Sequence, residues 1–308
     1  EDKGKFLVSP SKAKQDVYAL VKKVAPTENT ILIQGETGSG KDVLAFYIHR
    51  NSPRKGGPFL TLDCGLLTPN LVESELYGHK KGSFSGASEA KVGLVEKSHG
   101  GTLFLDEIGN IDLDLQKKFL RFLETGRIRR VGETKETHVD TRVVLATNLS
   151  IEEAVALGRI RSDLYYRMAE FTITIPPLRK RPEDILPLTR HFLSIRANDS
   201  PIKRISAEAA EILISYPWPG NIRELKSAVN KVDILTDSEI ITKDHIPPHF
   251  AMQKSVPSPS SKTLEDIEKE HILRVLAETD GNQSQAANVL GINRKTLYKK
   301  IKKYRIFS

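Results

Sequence analysis

The sequence predicts an α/β fold with a parallel sheet, then a small all-α unit, then a separate helical unit at the C-terminus. Three observations carry this. Short apolar strands alternate with helices over residues 31–176, the pattern of a parallel sheet covered on both faces. After Pro176-Pro177 the strand signals give way to helical spacing. Residues 251–262 carry Pro257, Pro259 and four serines with nothing to bury, and read as a linker. The expected divisions are residues 1–176, 177–250, 251–262 and 263–308.

Each element has its own signal. Ile31-Leu32-Ile33 reads as a strand running into a glycine-rich turn, with a helix over Asp42–Arg50 behind it. Thr102–Leu105 and Arg142–Ala146, each a short apolar run behind a polar first residue, read as buried strands. Glu183–Arg196, Ala207–Ser215 and Asn221–Leu235 read as three helices with short connections. Beyond the linker, Leu264, Ile267, Ile272, Val275 and Leu276 fall at helical spacing, and two more short helices follow. No internal repeat is present.

With 308 residues, 39% hydrophobic and 28% charged, the chain has the composition of an ordinary folded protein of two or three units. Its single cysteine, Cys64, excludes an internal disulfide framework and fits a reducing compartment. No apolar run approaches bilayer-spanning length. The first residues lack both a signal peptide and an initiator methionine. The expectation is a cytosolic protein, or a fragment of one, with no membrane partner. Net charge is +8, and seven basic residues with no acid fall between Gly291 and Ser308. The basic excess is therefore a C-terminal feature, and nucleic acid is the first partner to consider.

Gly35-Glu36-Thr37-Gly38-Ser39-Gly40-Lys41 lies between a predicted strand and a predicted helix, the context that a phosphate-binding loop requires. Glycines let backbone N–H groups turn onto phosphate oxygens, the helix N-terminus adds its dipole, and Lys41 supplies a point charge. Asp42 stands where a serine or threonine is usual. It could hold magnesium through water but not as a neutral hydroxyl ligand. A second apolar strand ends in Asp106-Glu107, at the sheet edge where ligands of open α/β sheets sit. Asp106 would serve the magnesium shell, through water, and Glu107 would polarise a water for attack on the γ-phosphate.

Five stretches in order resemble the AAA+ ATPase module of bacterial enhancer-binding proteins, the NtrC-type activators of sigma-54 RNA polymerase. They are Gly35–Asp42, Glu73–Ala87, Gly100–Gly109, Arg161–Arg167 and Trp218–Leu225, and the resemblance covers nearly the whole chain. It implies an AAA+ P-loop fold with a helical lid, and ATP turnover with Mg2+ in a ring, a hexamer by family analogy. Such a ring acts on the sigma-54 holoenzyme at closed promoter complexes. The family carries an acidic residue where Asp42 stands. Thr147 and Asn148 match sensor I, Arg161 and Arg167 match arginine fingers supplied to a neighbouring subunit, and Arg223 matches sensor II. Asp63 stands where the family usually has an asparagine that restrains the catalytic glutamate, and an aspartate cannot donate that amide hydrogen bond. Gly82-Ser83-Phe84-Ser85-Gly86-Ala87 matches the family's sigma-contacting loop, with serines in place of alanine and threonine at 83 and 85. The family often has an N-terminal receiver or sensor domain, as in two-component systems, and none is expected within these residues.

Asn282–Tyr298 resembles the helix-turn-helix of Fis-like DNA-binding domains. Ala286, Ala287 and Leu290 face inward and Gly291 permits the turn. In the second helix Leu297, Ile301 and Tyr304 share a core face opposite Lys295, Lys299, Lys302 and Lys303. Asn293, Arg294 and Lys295 sit at the end that reaches base edges, while Lys299 and Lys302 would hold phosphates of an enhancer duplex, bound by a dimer. A rival reading is a DNA-binding regulator that uses ATP only to set its oligomeric state and does not contact sigma-54; the altered loop and Asp63 are the features that keep it open. An AAA+ DNA-processing motor is disfavoured by the Fis-like segment and the phenylalanine loop.

Overall fold

Five strands, β1 (Ile31–Gln34), β2 (Phe59–Asp63), β3 (Thr102–Asp106), β4 (Arg142–Thr147) and β5 (Phe171–Thr174), form one sheet in the order β2-β3-β4-β1-β5. Every neighbouring pair is parallel. This computed structural model describes residues 10–83, 89–196, 201–252, 264–279, 282–304 and 306. Side chains alternate between the two faces with the strand period of two. Leu32, Leu103, Leu105, Val143 and Leu145 enter one core, whereas Ile31, Ile33, Phe104, Val144 and Ala146 enter the other. Helices α1 (Lys12–Val24) and α2 (Lys41–Arg50) cover the second face through Val17, Val21, Leu44 and Ile48. Helices α3 (Pro69–Tyr77), α4 (Leu113–Thr125) and α5 (Ser162–Met168) cover the first through Leu76, Phe119, Phe122, Leu164 and Met168. Each such fully buried side chain contributes about 1.5–3 kcal/mol of transfer energy.

The topology places the site. Strand β1 lies between β4 and β5, so the chain leaving its C-terminal end emerges where neighbouring connections diverge, the usual ligand crevice of such sheets. Asp106 ends β3 and Thr147 ends β4 at the same edge. Two short antiparallel pairs decorate the sheet, Gly78–His79 with Lys91–Val92 and Arg127–Ile128 with Thr137–His138. The Gly78 carbonyl accepts from the Val131 amide, and Lys80 donates its own to the Val131 carbonyl.

The helical unit holds α6 (Ile185–Arg196), α7 (Ala207–Ser215) and α8 (Asn221–Leu235), and departs from the all-α expectation in one short parallel strand pair, Arg204–Ile205 with Ile240–Ile241. Its core centres on Trp218, fully buried, whose indole N–H donates to the Leu213 carbonyl at 2.8 Å and whose ring meets Tyr216 edge-on. The helix predicted from Glu183 begins later, at Ile185, after a 3-10 turn over Pro182–Asp184. The reason is local: the Asp184 carboxylate accepts from the Ser11 amide and hydroxyl at 3.1 and 3.0 Å, fixing that turn against the start of α1. A short helix, Pro248–Met252, takes in the first two residues of the stretch read as linker.

The chain divides into two compact units, Glu1–Lys254 and Ser255–Ser308. In the second, α9 (Leu264–Glu278), α10 (Gln283–Val289) and α11 (Arg294–Tyr304) surround Ile272, Val275, Leu276, Ala286, Ala287, Leu297 and Ile301. Gly291, at φ +66°, makes the turn between α10 and α11. Among the described residues no helix is long and apolar enough to cross a membrane.

Candidate nucleotide site and nucleic-acid interface

The glycine-rich loop starts where β1 ends, and the Gly35 amide donates to the Thr147 carbonyl at 3.1 Å. Lys41 opens α2 with its side chain 5% exposed. Its ammonium donates to the Gly35 carbonyl at 3.1 Å and meets Glu107 Oε1 at 3.3 Å. Glu107 has φ +53°, a left-handed conformation that a non-glycine residue adopts at a cost of about 1–3 kcal/mol. The chain turns there immediately after β3, presenting the carboxylate to the loop. Its Oε2 accepts from the Asn148 amide at 3.2 Å, and Asn148 Nδ2 donates to Thr37 Oγ1 at 3.3 Å. Burial pushes the Asp106 carboxyl above the usual range, with Lys41 opposing the shift. Asp42 is exposed in the first turn of α2, where the dipole favours an acid. Asp63 accepts the Gly65 amide at 2.8 Å; Glu107 is held by Lys41 and Asn148 instead.

These groups suit a phosphate chain and its cation. Ser39 Oγ is buried without a hydrogen-bond partner, beside a buried ammonium and the N-terminus of α2, and together they form a donor set for anionic oxygen. Asp106 is an acceptor at the same edge.

From the lid side, Arg179 reaches Glu36 with two bonds, at 2.7 and 2.5 Å, and the first effect of this pairing is to lower the Glu36 pKa. Asn221 Nδ2 donates to Glu36 Oε2 and to the Thr37 carbonyl, both at 3.1 Å. Its Oδ1 accepts from the Leu178 amide at 2.8 Å. The Ile222 amide donates to the Gly38 carbonyl at 2.9 Å, and Arg181 Nη2 to the Ser39 carbonyl at 3.2 Å. Arg223 is exposed, and its Cβ would lie 2.9 Å from a Cβ on Gly38, so Arg223 and the P-loop adjoin. Sequence reasoning missed Arg179, Arg181 and Asn221. The signal was present in Arg179-Lys180-Arg181 and in the Asn221 that precedes Arg223 by two residues.

Arg161 and Arg167 are not brought to this chain's P-loop. Arg161 pairs with Asp163 at 2.6 Å, and Arg167 pairs with Glu170 and donates to the Leu123 carbonyl. Gly82 has φ +79° and Ser83 donates its amide to the Lys80 carbonyl, close against Gly132. Phe84, Ser85, Gly86 and Ala87 lie outside the described residues.

In the C-terminal unit Leu297 and Ile301 are buried, and Arg294, Lys295, Lys299 and Lys302 are exposed without ion pairs among the described residues. Asn293 uses its Oδ1 to accept from the amide and hydroxyl of Thr296, at 2.8 and 2.9 Å, at the start of α11, and is itself exposed. Lys300 pairs with Glu268 at 2.5 Å and Lys303 with Glu265 at 2.6 Å. Tyr298, 59% exposed among Lys295, Lys299 and Lys302, joins this surface as an aromatic that charge counting did not reveal.

Residues 7–174 match the sigma-54 interaction domain, residues 179–263 the AAA+ ATPase lid domain, and residues 263–304 the bacterial regulatory protein, Fis family. The chain is 42% identical over 306 residues to the nitrogen fixation protein AnfA of Azotobacter vinelandii, a match that takes in 97% of this chain and 57% of AnfA. It is 43% identical to the alginate biosynthesis transcriptional regulatory protein AlgB of Pseudomonas aeruginosa, over 98% of this chain and 68% of that protein. The solved structure of NtrX from Brucella abortus in complex with ADP superposes with a TM-score of 0.75 at 33% identity, over 97% of this chain and 70% of NtrX. The chain thus spans little more than half the length of AnfA. With the P-loop, the paired acids and the helical lid on one fold, it belongs to the sigma-54 interaction domain family, carrying an AAA+ lid and a Fis-family domain.

Proposed function

We propose that this chain is the ATPase and DNA-binding part of a sigma-54-dependent transcriptional activator, which hydrolyses ATP in a ring to remodel closed promoter complexes. The observation that carries the reading is the convergence of Lys41, Glu107, Asn148 and Thr37 at the ends of β1, β3 and β4. Lys41 and the loop amides would bind the phosphates, and ion pairing with phosphate would release Glu107 from Lys41. Glu107, still held by the Asn148 amide, would take the proton from the attacking water. Asp106 would hold Mg2+ through water, and the cation would supply positive charge to offset that of the phosphates. Arg161 and Arg167 would act on a neighbouring subunit's nucleotide, in keeping with their pairing to Asp163 and Glu170 rather than to this chain's own P-loop. Arg223 would approach the nucleotide from the lid. Arg294, Lys295 and Asn293 would read bases of an enhancer duplex, with Lys299 and Lys302 on phosphates. The boundaries at 176, 250 and 262 divide these tasks.

The test is an ATP-dependent open-complex assay with sigma-54 holoenzyme, run beside Phe84→Ala. The variant should keep ATP hydrolysis and DNA binding yet lose sigma-54 binding, because a docked aromatic is worth about 2 kcal/mol or more at a contact hot spot. Normal activation by Phe84→Ala would remove the loop as the coupling element and favour the regulator that uses ATP only to assemble.

A further inference from the structure

Four consecutive P-loop carbonyls are taken up. Those of Thr37, Gly38 and Ser39 accept from Asn221, Ile222 and Arg181, all in the lid or the segment leading to it. That of Glu36 accepts from the Ser39 amide, and its carboxylate is gripped by Arg179 and Asn221. A planar trans peptide points its C=O and the following N–H in opposite directions. Holding the Thr37 and Ser39 carbonyls toward the lid therefore turns the Gly38 and Gly40 N–H groups away from it. The fit is close: a Cβ on Gly38 would meet the Gly220 carbonyl at 2.4 Å, so no side chain separates loop from lid. Asn221 is fully buried at φ +52°, and its side chain bonds through both Oδ1 and Nδ2. Such a strained, saturated residue persists only where its surroundings determine it.

We infer that Glu36 is a positioning residue, clasped by Arg179 and Asn221, through which the lid fixes the P-loop amides, so that lid displacement loosens the loop and releases nucleotide. This rests on the nucleotide-site reading above. It differs from the usual assignment of a P-loop side chain, because the Glu36 carboxylate faces protein donors and not phosphate. Displacing the lid must break the Arg179 and Asn221 bonds or drag the loop with it. Either event disorganises the N–H groups that face the phosphates.

The test uses the full chain and a fluorescent N-methylanthraniloyl ADP, chased with excess ADP in a stopped-flow instrument. Arg179→Ala and Glu36→Gln should each raise the dissociation rate about tenfold, and the double variant by no more than the singles, since both break one linkage. Arg179→Lys, which keeps the charge but offers a single bond, should fall between. Dissociation at the parent's rate in both single variants would overturn the proposal, and so would effects that multiply in the double variant. A rise that simply follows loss of nucleotide-free melting temperature across the series, Arg179→Lys included, would make the clasp a matter of fold stability and also overturn it. A parent protein that binds no ADP would remove the nucleotide reading itself. A parent that binds, with variants that release at its rate, would remove the clasp alone.

Discussion

The two sides of the P-loop are held in different ways. On the sheet side the side-chain contacts are few and long, with Lys41 to Glu107 and Asn148 to Thr37 both at 3.3 Å. On the lid side the bonds are numerous, and the two from Arg179 to Glu36 are 2.7 and 2.5 Å. Long single contacts are readily exchanged for phosphate, whereas a saturated cluster moves as one body. The proposed roles therefore place chemistry and motion on opposite faces of one loop.

The largest effects should come from the sheet side. Lys41→Ala should abolish nucleotide binding, and Glu107→Ala should retain it while lowering turnover by about 100-fold or more, the usual worth of a general base. Equilibrium binding and ATPase rates measured on the same samples check this, and near-parental turnover by Glu107→Ala would break the comparison at its chemical half. On the lid side Asn221→Asp removes two buried donors and sets a carboxylate against Glu36. It should cost about 3 kcal/mol of stability, read in denaturant melts. Adding Glu36→Gln should recover part of the loss, which sharpens the comparison by showing that the two residues act on each other.

A smaller effect is expected where α1 adjoins the lid. Lys14 is 7% exposed, and burial, reinforced by Arg181 and opposed by Asp184, lowers its pKa to about 7. Its folded pKa lies below its unfolded one, so between pH 7 and about 10.5 the unfolded chain binds more protons and stability rises with pH. Lys14→Met should therefore raise stability near pH 7 by about 2 kcal/mol, a part of the roughly 5 kcal/mol that the full shift represents, since the variant also gives up the attraction to Asp184 and the contact with the Tyr18 ring. This advantage shrinks as pH climbs to 10. Melting temperatures of both proteins across that range check it, and a pH-independent difference would show that Lys14 is not the titrating group.

The sheet side was legible in the sequence because its signals are local: a strand, a glycine turn and a lysine in one stretch, and a strand ending in Asp106-Glu107 in another. The pairings of the lid side were not. Arg179 and Asn221 stand 143 and 185 positions from Glu36, and neither periodicity nor charge pattern pairs residues across such separations. The strands show a similar division. Strands β3 and β4, central and buried, announce themselves as apolar runs. Strands β2 and β5 are the two edges of the sheet, half exposed with threonines among their apolar residues, and the sequence reading did not single them out. Asp63 was legible as an aspartate unable to donate, but only the fold reveals that it closes its own turn on Gly65.

The ion pairs of the C-terminal unit bear on how its binding would respond to ionic strength. Composition offers seven cations in the last eighteen positions, yet Lys300 and Lys303 are neutralised at home by Glu268 and Glu265. Arg294, Lys295, Lys299 and Lys302 remain exposed and without ion pairs among the described residues. With Lys299 and Lys302 on phosphates, as proposed above, counterion release would give a slope of about −1.8 in log affinity against log salt for each unit, near −3.6 for a pair, well short of what seven cations would yield. A duplex would therefore be held with moderate rather than extreme salt sensitivity. The acids of α9 set that value as much as the lysines of α11 do.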